Sequence, residues 1–142
     1  MASATESATG IGGGDGLQGN VAMLFGVVLT LVGVLGFAGI LVTTQDGMQQ
    51  LLIFGISPLH NAVHLLTGLA GLGAGFAAGG AYSRDYNKYL GVVYLLVFVV
   101  GLVAVLANVG FLVELLGLNM ADNFLHLAIG VVLAGVGFGL TQ

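Results

Sequence analysis

Apolar positions in this chain neither alternate nor form a helical stripe against a polar face; they come in long, nearly unbroken runs. Residues 21–42 make the first run, interrupted only by glycines and Thr30. At about 1.5 Å of rise per residue, such a helix crosses a hydrocarbon core of roughly 30 Å. A polar stretch follows over residues 43–50. The apolar segment 51–56 is too short to span and is expected at the interface or leading into the next helix. Ser57-Pro58 reads as a helix start, with Ser as cap and Pro in the first turn, so the second span covers residues 58–79. Residues 82–88 are the most polar loop. The third span is expected over residues 89–109. After a short apolar segment containing Glu114, Asn119 caps a fourth span over residues 120–140.

The pattern predicts an all-α fold: an integral membrane four-helix bundle made of two helical hairpins in tandem. Residues 1–20, rich in Ala, Ser, Thr and Gly, read as a flexible tail. They lack the basic start of a signal peptide. Residues 21–142 form the membrane domain.

Composition changes the picture in one respect: it decides what the outer surface faces. Charged residues make up 6% of the chain and hydrophobic residues 58%, whereas a soluble domain carries roughly 25% charged residues. The missing charge implies a surface against lipid, so the bilayer itself is the first partner. The net charge of −4, with no basic cluster, excludes nucleic acid as a partner. Cysteine is absent, which removes disulfides and thiolate chemistry. Arg84 and Lys88 are the only basic side chains, and both lie in one loop. The excess of positive charge in cytoplasmic loops places that loop inside, with both termini, in a multi-pass protein of the cell (plasma) membrane. Tyr82, Tyr86 and Tyr89 are expected to mark the same interface.

The second and fourth spans read alike. In register, Gly55 meets Gly117, Ser57 meets Asn119, Asn61 meets Asn123, His64 meets His126 and Gly68 meets Gly130. Gly73 then meets Gly135, and Gly75 meets Gly137. The first and third spans align from Gly26 and Gly91. Each repeat holds an even number of helices, so the two insert the same way round, related by a pseudo-two-fold along the membrane normal. Asn61-x-x-His64-x-x-x-Gly68, Tyr89-Leu90-Gly91-x-x-Tyr94 and Asn119-x-Ala121-Asp122-x-x-x-His126 carry a resemblance over about residues 21–140. The chain resembles a family of small four-span prokaryotic (archaeal or bacterial) membrane proteins known as a domain of unknown function. That resemblance implies the four-helix fold and no activity.

Helical spacing puts Asn61, His64, Gly68, Gly71 and Gly75 on one face of the second span. Asn123, His126, Gly130, Ala134 and Gly137 share a face of the fourth. Glycines favour close helix packing, and ionisable groups in a span are expected to face inward. His60 and Asp122 occupy matched positions, a base opposite an acid. Asn108 and Glu114 are expected near the same level.

The leading expectation is a structural or interaction subunit with an outward Asn/His polar core. His64 and His126 ligating haem b or a metal ion is the alternative, and a proton- or ion-linked site through His60, His64, Asp122 and His126 is the second. A conventional enzyme is disfavoured: Ser57 is better explained as a cap, and the helical glycines lack the context of a phosphate loop. The small-residue stripe Ala22, Gly26, Thr30 and Gly33 leaves room for a homo-oligomer or a larger membrane assembly.

Overall fold

The computed structural model describes residues 16–139. The expected tail over residues 1–15 and the expected end of the fourth span at residue 140 lie outside the described residues. Helix α1 (Gly16–Ala38) leads into three short strands, β1 (Val42–Gln45), β2 (Met48–Leu51) and β3 (Phe54–Gly55). Helix α2 (Pro58–Phe76) ends in a 3-10 turn (Ala77–Gly80). Helix α3 (Ser83–Leu106), a short helix α4 (Gly110–Leu116) and helix α5 (Met120–Ala134) follow, and α5 runs on into a π-helical turn (Gly135–Gly139). Four helical stretches, Gly16–Ala38, Pro58–Gly80, Ser83–Leu106 and Met120–Gly139, are long and apolar enough to cross a membrane. Large apolar side chains such as Leu24, Leu31, Leu66, Leu96 and Val103 stand on the outside. This is a multi-pass membrane protein of largely helical class.

Several boundaries differ from the sequence reading, each for a physical reason. Residues 16–20 belong to α1 and not to a tail, because Gln18 is buried and its amide donates to the Val136 carbonyl at 2.8 Å. Helix α3 begins at Ser83, inside the expected polar loop, because Ser83 and Asn87 are fully buried and bonded within the bundle. Residues 42–55 form an antiparallel sheet in the order β1-β2-β3, so 51–56 is strand and turn and not a lead-in helix. Asp46 (φ 52) and Gly47 (φ 81) are both left-handed, the geometry of a two-residue hairpin turn whose twist matches its strands.

Helix α1 lies along α2, and α3 lies along α5. Glycines set both approaches. A side chain added at Gly26 would place its Cβ 2.6 Å from the Leu72 backbone nitrogen, and one at Gly33 would lie 2.8 Å from the Leu65 nitrogen. At Gly91 an added Cβ would strike Ala134, and at Gly130 it would lie 2.8 Å from Leu95. Gly68 rests on Thr30, Gly71 on Tyr86 and the Ala22 carbonyl, Gly75 on Met23, and Gly137 on Lys88. The stripe Ala22, Gly26, Thr30 and Gly33 therefore meets this chain's own α2. It does not lie open to a second copy, because that close approach fills it.

The two hairpins are tied at one end by reciprocal caps. Ser57 accepts from the His60 backbone at 3.1 Å and donates to the Leu115 carbonyl at 2.8 Å. Asn119 accepts from the Asp122 backbone at 2.8 Å and donates to the Ile53 carbonyl at 3.0 Å. Each cap thus starts its own helix and holds the loop of the other hairpin. Replacing either cap by alanine is expected to cost about 1 kcal/mol or somewhat more. Thermal unfolding in detergent checks this, and wild-type stability in the Ser57→Ala, Asn119→Ala double variant would contradict it.

Candidate functional site

The outward stripes of the sequence reading converge, but not all of their residues meet. His60 and His64 lie one turn apart on α2, and Asp122 and His126 one turn apart on α5. The caps just described start both helices at the same end, so all four side chains reach one depth within their first two turns. All are buried: His60 is 7% exposed, His64 5%, His126 2% and Asp122 1%.

The Nε2 atoms of His60 and His64 are 3.1 Å apart. Asp122 Oδ1 lies 3.8 Å from His60 Nε2, and Asp122 Oδ2 lies 3.6 Å from His126 Nδ1. One nitrogen from each imidazole falls within 4.8 Å of the other two. The ring centroids stand 4.3 Å (His60–His64), 5.4 Å (His60–His126) and 6.1 Å (His64–His126) apart. Tyr94 closes the cluster, edge-on to His126 at 5.3 Å and nearly parallel to His64 at 6.4 Å.

These groups satisfy one another only in part. His60 and His64 pair through their Nε2 atoms, while the Nδ1 atoms of His64 and His126 and Asp122 Oδ2 are buried without a hydrogen-bond partner, as are Asn61 Oδ1 and both amide atoms of Asn123 away from the cluster. Buried polar groups are nearly always paired, because each unpaired one costs on the order of 1–3 kcal/mol.

Asn61 and Asn123 stay apart from the imidazoles. Each packs inside its own hairpin against a glycine, Asn61 on Gly36 and Asn123 on Gly101, where a Cβ would overlap the amide. Asn108 sits in the turn after α3 with φ 52, and Glu114 is exposed on α4. Both line a separate cleft with Asp46 and Gln49. Neither reaches the histidines, because α4 turns that segment away.

The sequence profile of the family described as Domain of unknown function (DUF4383) matches residues 20–139. The chain belongs to this family. No curated protein matches it, and no solved structure does.

This DUF4383 domain carries a second buried polar group at its other end, which sequence reasoning missed. Asn87 donates to the Gln18 side chain at 2.8 Å and to the Gln18 carbonyl at 3.0 Å. Ser83 donates to the Ala74 carbonyl at 3.1 Å, and Arg84 to the Gly137 carbonyl at 3.2 Å. Tyr86 is half-buried and donates to the Thr67 carbonyl at 3.0 Å; unlike Tyr82 and Tyr89, it is no surface marker. Between the two polar ends of the DUF4383 bundle lies an apolar core of Leu29, Leu90, Ile129 and Leu133 with the Tyr94 ring. The histidine end and the clamp end are therefore separate.

Chemically, the cluster offers three imidazole nitrogens around one point, with the Asp122 carboxylate beside His60 and His126. Nitrogen-rich sets of this kind suit zinc and its first-row neighbours, and not magnesium or calcium, which take oxygen. In a tetrahedral zinc site with Zn–N near 2.0–2.1 Å, ligand nitrogens stand roughly 3.3 Å apart. The His60–His64 pair already meets that spacing.

Proposed function

We propose that this protein is a membrane-embedded binder of a divalent transition-metal ion, with His60, His64 and His126 as ligands and Asp122 as a supporting carboxylate beside them. The observation that carries the reading is the convergence of three buried imidazoles, one nitrogen of each within 4.8 Å of the other two, with a buried carboxylate beside His60 and His126. The ligands come from both hairpins, so the ion is also a clasp between them, and the structural role expected from the sequence follows from the binding role.

The same contacts support a tandem duplication. Gly26 meets Leu72 as Gly91 meets Ala134, Gly36 meets Asn61 as Gly101 meets Asn123, and the two caps exchange carbonyl partners. With Arg84 and Lys88 on the cytoplasmic side, the metal site lies in the outer half of the membrane.

The space favours an ion over haem. The cavity beside the histidines is about 160 Å³, below the roughly 300 Å³ at which pockets for drug-sized ligands begin. His60 also crowds both rings that would flank a porphyrin. The apolar core below the cluster argues against a proton path through the bundle.

Elemental analysis of protein purified from native membrane tests the proposal. One zinc-class ion per chain is expected, and Asp122→Asn is expected to weaken binding by on the order of 10–100-fold, as loss of a supporting carboxylate does elsewhere. Metal content no higher than a blank, after incubation with zinc or cobalt at neutral pH, would defeat it.

A further inference from the structure

Two openings border the histidine cluster. One is a groove of about 160 Å³ that runs past His64 and Val93 toward lipid, and its walls present only apolar atoms. A metal ion arrives with its hydration shell, which nothing there replaces. The other is the cleft of about 570 Å³ that Asp46 and Glu114 share with Gln49, Asn108 and Ser57. At roughly 30 Å³ per water, an ion with six waters takes on the order of 200 Å³, so the cleft admits it whole. Of the residues around the cleft, only Pro58 belongs to a span, which leaves it within reach of water.

The charge of the cleft is one-sided. Asp46 and Glu114 are exposed, and the only Lys and Arg of the chain, Arg84 and Lys88, lie in the first turns of α3 at the far end of the bundle. A cleft lined by one sign of charge concentrates counter-ions and speeds their arrival by about 10–1,000-fold. Two carboxylates alone would be ordinary surface charge; the floor beneath them sets these apart. Ile56, Ser57 and Gly117 form it. There the segment entering α2 crosses the turn after α4 at backbone contact: an added Cβ at Gly55 would strike the Gly117 carbonyl, and one at Gly117 would strike Ile56. The His60 ring lies against the backbone of Gly55 and Leu116, the neighbours of those floor residues. A single layer of backbone thus parts the cleft from the first imidazole.

We propose that this cleft is the entrance to the metal site: Asp46 and Glu114 gather hydrated divalent transition-metal ions from water, and the ion passes to His60 where the Gly55 and Gly117 segments part. The route rests on the metal reading above. The two carboxylates act on the approach of the ion and do not ligate it once seated.

Cobalt uptake by metal-free protein in nanodiscs, followed by stopped-flow visible absorption, tests the route. In the Asp46→Asn, Glu114→Gln double variant the association rate constant is expected to fall by roughly 10-fold and to depend less on salt, while dissociation rate and stoichiometry hold. Gly110→Trp fills the cleft from a position where nothing lies within 4 Å of the added Cβ. It is expected to slow uptake and release alike and to leave the affinity unchanged. Asp85→Asn, which removes a carboxylate at the far end, and Val93→Phe, which narrows the lipid-facing groove, are expected to load at the wild-type rate. Wild-type association rates in either cleft variant, or a rate that falls in Val93→Phe instead, overturn the route and leave the metal site standing. Loss of cobalt stoichiometry in the double variant would make the carboxylates ligands and overturns it as well. Wild-type protein that takes up no cobalt defeats the metal reading, and the route falls with it.

Discussion

Stripping the metal is expected to loosen the bundle, and replacing His126 by alanine is expected to make the protein indifferent to metal. An ion that binds only the folded state adds stability by mass action, about 2.7 kcal/mol when free metal stands 100-fold above Kd. The effect falls on one particular contact. His60 and His64 sit on α2, Asp122 and His126 on α5, and apart from the reciprocal caps this cluster is the main polar link between the hairpins at that end. Chelation is therefore expected to lower the unfolding midpoint of wild-type protein. In His126→Ala, chelator and zinc should leave the midpoint equal, because the remaining ligands no longer close around the ion. His126→Ala also removes one unpartnered buried nitrogen from the core, which offsets part of the cost of the cavity it leaves in the apo form. The ligand role is read from the response to chelator and zinc. Differential unfolding with and without chelator measures all four states. A wild-type midpoint that ignores both chelator and zinc would leave the cluster without an ion.

The sequence carried the positions of this cluster but not its membership. Recurrence of Asn-x-x-His-x-x-x-Gly put His64 and His126 at matched depth, and register placed His60 opposite Asp122. Matching positions say nothing about rotation within a helix. The Asn of each motif lies one residue from the His60 or Asp122 position, 100° round the helix, and that turn sends it to Gly36 or Gly101 instead of the imidazoles. Tyr94 was visible in its motif, yet an aromatic in an apolar span signals nothing until a histidine is found beside it. The strands had a local signal, Asp46-Gly47 between two runs of strand-forming residues, which the polarity of residues 43–50 obscured. Gln18 was lost for a related reason: Gly16, Gly19 and Asn20 around it suggest a tail, and its burial is explained by distant partners, the Val136 carbonyl 118 residues away and Asn87. Length and hydropathy are local and fixed the spans; partners across the bundle are not local and could not be read.

Substituting Gly91 by alanine is expected to separate α3 from α5, although alanine is the better helix former by roughly 1 kcal/mol in water. The added Cβ would overlap the Ala134 backbone, and backbone cannot rotate away as a side chain tip can. Relief requires the helices to move apart, which forfeits dispersion contacts along the whole seam. Overpacking of this kind costs typically about 1–3 kcal/mol, and the matched change Gly26→Ala on the α1–α2 seam, with its Cβ 2.6 Å from the Leu72 nitrogen, is expected to cost as much. Gly73→Ala is the control. That glycine sits on α2 with nothing within 4 Å of the added Cβ, so the same substitution there should be neutral or slightly stabilising. A second consequence follows for the site. Gly91 lies one turn from Tyr94, and Ala134 two turns from His126, so a widened seam displaces the Tyr94 ring from His126 and the ligand set from α2. Gly91→Ala is thus expected to weaken cobalt binding as well as lower the midpoint, while Gly73→Ala changes neither. Unfolding midpoints and cobalt titrations of the three variants decide it: equal stability in Gly91→Ala and Gly73→Ala would mean that close helix contact is not what holds each hairpin shut.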